Sequence, residues 1–107
     1  MRGFHLILKT VFYHPIYVEI TGSLAAGVAL SQLLHWYSSA GGKGFTKTDE
    51  EIIDETKMSK REWSAARETI SQLGFIKVSR LSLTANRYYD INIENIIQAI
   101  NNHTDDN

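Results

Sequence analysis

From residue 24 onward the apolar positions change period twice along the chain, and the changes mark out its elements. Leu24, Val28, Leu30, Leu33, Leu34, Trp36 and Tyr37 cover most of a helical circumference, which predicts a central, buried helix capped by Ser23 and running to about Ser39. Ala40-Gly41-Gly42-Lys43-Gly44 ends it as a loop. Thr48-Asp49-Glu50-Glu51 and Ser59-Lys60-Arg61-Glu62 are two capping boxes, each announcing a helix start. The first helix spans about nine residues with Ile52 and Ile53 on its buried face, and Lys57-Met58 makes the turn. The second runs to Leu73 with Trp63, Ala66, Ile70 and Leu73 facing the core, and Gly74 stops it. Met58 and Trp63 stand at the two positions of a hydrophobic staple.

After Gly74 the period becomes two. Phe75 to Arg80 alternates as a half-buried strand, Leu81 to Asn86 is a loop, and Arg87 to Ile93 is a second strand. Gly44 to Thr46 is placed to join them as a third. Glu94 to about Asn101 reads as a closing helix, and His103 to Asn107 as a disordered tail. Pro15 to Ile20 is read as a short helix in preference to a strand, because proline suits a first helical turn. Phe4 to Tyr13 is a strand or an arm. The expected fold is α+β, mostly helical: a winged helix-turn-helix with a C-terminal β-hairpin wing, one domain over residues 1–102.

Composition narrows the function more by exclusion than by assignment. The 107 residues are 43% hydrophobic and 21% charged, the balance of one globular domain. No cysteine is present, which removes disulfides, thiolate metal sites and cysteine nucleophiles. The longest apolar stretch, Leu24 to Tyr37, is interrupted by Gly27, Ser31, Gln32 and His35 and is too short to span a bilayer. No cleavage site follows the N-terminal apolar run, so a cytoplasmic, unprocessed chain is expected, with no membrane partner. His5, His14, His35 and His103 have no ligand spacing, and His35 on the central helix is expected to be a core histidine. Gly41-Gly42-Lys43-Gly44 lacks the glycine spacing and the Ser or Thr of a phosphate loop. Asp49, Glu50, Glu51, Asp54 and Glu55 are explained by a dipole-matched helix start. No catalytic residue, metal or cofactor is assigned, and the expectation is a protein that is not an enzyme.

Charge distribution carries the positive signal. The net charge is only -1, from 11 Lys and Arg against 12 Asp and Glu. Yet residues 57–87 hold Lys57, Lys60, Arg61, Arg67, Lys77, Arg80 and Arg87 against Glu62 and Glu68 alone. That window covers the second capped helix, the first strand of the hairpin and its loop. Ser59, Lys60, Arg61, Ser64 and Arg67 are therefore candidate contacts in a major groove, the first-turn residues reaching base edges. Lys77, Arg80 and Arg87 are candidate phosphate contacts from the hairpin.

Three stretches resemble a known group: "LSQLLHW" at Leu30–Trp36, "LGFIKVSR" at Leu73–Arg80 and "YYDI" at Tyr88–Ile91. Over about residues 14–93 the chain is similar to the winged-helix domains of phage and plasmid replication initiation proteins, a broad group that includes the DnaD type. The resemblance implies sequence-specific binding of double-stranded DNA in replication or its regulation. Members of that group continue into a second domain that binds helicase or other replisome parts. The 107 residues include none, so a small accessory or regulatory protein is expected. One small module reads a site weakly, so a homodimer on two half-sites is expected, with Phe4–Tyr13 or Ile93–Ile100 as the contact. The rival expectation is a protein-binding module acting on replication or host proteins, such as an inhibitor of a host enzyme or defence complex. The net charge and the acidic stretch Asp49 to Glu55 suit that rival.

Overall fold

The computed structural model describes residues 14–81 and 84–105. They form an α+β fold, mostly helical, of five helices and one three-stranded antiparallel sheet. Residues 1–13, the expected arm or strand, lie outside the described residues, as do residues 82–83 of the hairpin loop.

Helix α1 (Pro15–Thr21) starts on proline, with the His14 ring accepting from the Ile16 N–H, and stops at Gly22 with φ 87°. Ser23 then caps α2 (Leu24–Ser39), its hydroxyl accepting from the Ala26 N–H at 3.0 Å. The two helices meet at 117°, and among the described residues no single helix is long and apolar enough to cross a membrane. Helix α2 is central, as its pattern predicts, but its buried face differs from the expected one. Ala26, Gly27 and Ala29 are buried with Leu30, Leu33 and Trp36, whereas Leu24 is 59% exposed and His35 is exposed rather than in the core. Small residues take the inner face because α1 crosses there at close range.

Strand β1 (Phe45–Thr48) leads directly into α3 (Asp49–Thr56), because Thr48 is both the last strand residue and the N-cap. Its hydroxyl accepts from the Glu51 N–H at 3.1 Å while its own N–H donates to the Glu51 carboxylate at 2.9 Å. Lys57, at φ 62°, turns the chain toward α4 (Lys60–Gln72). The second capping box repeats the arrangement between Ser59 and Glu62, at 3.1 and 2.9 Å. Met58 packs against the core, and Trp63 is fully buried within it.

Leu73 departs from expectation. It is 43% exposed, because α4 ends at Gln72 and Gly74, at φ 79°, redirects the chain. Phe75 takes the buried place instead.

Strands β2 (Ile76–Arg80) and β3 (Asn86–Ile91) form the hairpin, and the sheet order is β1-β3-β2. Alternation divides each strand between two faces. On the inner face Ile76 opposes Ile91, and Phe45 and Val78 flank Tyr89. Tyr89 stacks on Phe45 at 5.4 Å between ring centroids and lies 6.4 Å from Trp63. The Trp63 Nε1 and Tyr89 Oη atoms are buried, with no hydrogen-bond partner among the described residues.

Helix α5 (Ile93–Asp105) is longer than expected and includes residues 103–105 of the supposed disordered tail. The polar run Asn101 to Thr104 stays helical with two supports, one local and one from α1. The Thr104 hydroxyl donates to the Ile100 carbonyl at 2.8 Å, and His103 pairs with Glu19 of α1.

Candidate nucleic-acid interface

Each basic residue singled out in the sequence can now be placed. Lys60 and Arg61 occupy the first turn of α4, exposed, with no ion pair among the described residues. The Ser59 hydroxyl is committed to its capping box. Ser64 is half-buried, and Glu68 accepts from Gln72 at 3.2 Å. Lys77 is exposed on β2 opposite Asp90, and Arg80 is exposed opposite Arg87.

Arg67 and Arg87 are not free. The Arg67 Nη1 donates to the Asp49 Oδ1 at 2.9 Å, and the Arg87 Nε lies 3.4 Å from the same oxygen. The three side chains retain only 16%, 26% and 19% of their exposure for Arg67, Arg87 and Asp49. Part of the cationic window is thus neutralised internally. Arg67, expected as a groove contact, and Arg87, expected as a phosphate contact, each share Asp49 as an ion-pair partner.

The sheet register adds a residue that sequence reasoning missed. Lys47 of β1 stands opposite Arg87, which stands opposite Arg80, so three cations form one row across three strands. Like charges in adjacent strands repel, and the neighbouring acids offset the repulsion. Glu55 holds Lys47 at 3.2 Å, and the Lys47 ammonium also lies 4.5 Å from the centroid of the Trp36 ring. Arg80 has no ion pair among the described residues. Alternation from Phe45 indicates the face of β1 that carries Lys47, but its place opposite Arg87 is set by the β1–β3 register.

Asp49 therefore ties two elements together. At 3.6 residues per turn, Lys60, Ser64, Arg67 and Ser71 share one stripe along α4. Arg80 shares a face of the hairpin with Arg87. The stripe and the row converge where Arg67 and Arg87 meet Asp49.

Glu51 and Glu62 are held below the ordinary carboxylate range. The Thr48 and Ser59 backbone N–H groups are the main cause, with the two hydroxyls adding to it. Both carboxylates serve caps. Among the described residues, no three His, Asp or Glu side chains come together as a metal site.

Comparisons of the chain with protein-family models, curated proteins and solved structures find no match.

Proposed function

We propose that this chain is a winged-helix protein that binds duplex DNA, with α4 as the recognition helix and the β2–β3 hairpin as the wing. The element order supports the reading: a central helix, a short strand, two capped helices and a hairpin. The observation that carries it is the Asp49 junction, which brings the basic stripe of α4 and the basic row of the hairpin to one place. Lys60 and Arg61 supply base-edge and phosphate contacts from the first turn, and Arg80 supplies a phosphate contact from the wing, whereas Lys77 lies on the other face of β2, opposite Asp90. The resemblance carried by Leu30–Trp36 and Leu73–Arg80 favours a role in phage or plasmid replication or its regulation, in the cytoplasm and without catalysis. A homodimer would read two half-sites.

The second reading is a protein-docking module. It is favoured by the partial internal neutralisation of the Arg67–Arg87 pair and by the exposed acids Glu50, Asp54 and Glu55. Titrating the protein with a random duplex pool at several salt concentrations separates the two. A DNA binder enriches a motif and loses affinity with a slope of about -0.9 per neutralised phosphate in log–log form. No enrichment and no salt-dependent binding would leave the docking reading.

A further inference from the structure

One carboxylate oxygen holding two guanidinium groups leaves an unneutralised positive charge at a partly buried point. Arg67 spends Nη1 on Asp49, and Arg87 faces it with Nε. Each guanidinium carries five N–H donors in a planar fork. No described side chain takes up the donors that remain. We propose that Arg67 and Arg87 form a seat for one phosphodiester group of the duplex backbone, and that Asp49 is the residue that positions them. The inference rests on the duplex-binding function proposed above.

Three observations support it. The seat lies where the α4 stripe and the hairpin row converge, so a backbone tracking from Lys60 to Arg80 passes it. Both arginines are largely packed, so their orientation is fixed before a ligand arrives and little side-chain freedom is lost on binding. Guanidinium forks also match phosphate oxygens in geometry, which lysine ammonium groups do not.

Positioning and simple charge predict opposite signs for loss of Asp49. Removing a negative charge should strengthen DNA binding if Asp49 only shields the arginines. It should weaken binding if Asp49 aims them. The comparison is Asp49→Asn against Glu50→Gln, an exposed neighbour with the same change of charge, in fluorescence-anisotropy titrations with a labelled duplex across a salt series. Glu50→Gln should bind as tightly as wild type or more so. Asp49→Asn should bind about tenfold more weakly than Glu50→Gln, the loss of one charge-assisted contact. Its salt slope should also fall by about 0.9 in magnitude.

A ligand-free measurement separates positioning from general damage. Guanidinium N–H signals of Arg67 and Arg87 should exchange slowly in wild type and quickly in Asp49→Asn, with unchanged signals elsewhere. If Asp49→Asn fails to fold, Asp49→Glu serves in its place. It keeps the charge but shifts the oxygen, and should also weaken binding. Asp49→Asn binding as tightly as Glu50→Gln, beside salt-dependent wild-type binding, overturns the seat alone. Wild-type protein without salt-dependent duplex binding overturns the function proposed above and the seat with it.

Discussion

Gly27 of α2 lies directly beneath Val18 of α1: a β-carbon at position 27 would stand 2.6 Å from Val18 Cγ2 and 2.7 Å from its N and Cα. Two of those three atoms are backbone, so no rotamer change can relieve the contact. Alanine ordinarily favours a helix interior over glycine by about 1 kcal/mol. Here Gly27→Ala should instead destabilise, by about 1–3 kcal/mol of overpacking. Urea unfolding midpoints check the sign. A stabilised variant would mean that α1 does not cross α2 at this point in solution.

Trp63 and Tyr89 make a contrasting pair of predictions. Trp63 is fully buried between α4 and the sheet, so Trp63→Ala should cost about 3–5 kcal/mol. A loss below about 0.5 kcal/mol would place it at the surface. Tyr89 is equally buried, but its hydroxyl has no partner among the described residues. Leaving such a group unsatisfied costs about 1–3 kcal/mol. Tyr89→Phe keeps the ring stacked on Phe45 and should raise the urea midpoint. A lowered midpoint would show that the hydroxyl does find a partner in solution.

The capping boxes give the fold an acid dependence of known sign. Glu51 and Glu62 have folded-state values depressed below the ordinary 4.5 by the N–H groups and hydroxyls of Thr48 and Ser59. A depressed carboxylate contributes stability that is present above its unfolded value and lost as pH falls through the folded one. Stability should therefore decline below about pH 4.5. In the Glu51→Gln, Glu62→Gln double variant that decline should be shallower, since glutamine retains the cap acceptor but does not titrate. Equal slopes in urea titrations between pH 3 and 6 would contradict the assignment, because the ordinary range of these groups lies within it.

Arg61 and Arg80 are predicted to differ in kind. Arg61→Ala should cost about 1–3 kcal/mol at a preferred duplex and relax the preference there. Arg80→Ala should weaken all duplexes about equally and lower the salt slope by about 0.9. Gel-shift titrations on a selected site and a scrambled one measure both. An Arg80→Ala effect confined to the selected site would turn this hairpin residue into a base reader.

Local chemistry was legible in the sequence wherever the partner lay close in the chain. Ser23, Thr48 and Ser59 cap the helices at the residues their spacing indicated, because an N-cap bonds within three positions. The hairpin followed from its alternation. What failed depended on distant partners. Asp49 reads as an ordinary dipole-matched acid until α4 returns Arg67 beside it, 18 positions later. The length of α5 was misjudged for the same reason, since Glu19 lies far back in the chain from His103. Lys60, Arg61 and Arg80 remain exposed as their patterns implied, whereas Arg67 and Arg87 do not.

The order β1-β3-β2 also has a consequence for how the chain is made. Its middle strand is the last of the three to be synthesised. Until residues 86–91 emerge from the ribosome, β1 and β2 have no neighbour to pair with, and Trp63 lacks the Tyr89 ring. Helices α2 to α4 can form early from local contacts, but they wait with an open apolar side. Completion of the core is therefore a late event, and a nascent chain halted in the hairpin loop would expose the surface that chaperones recognise.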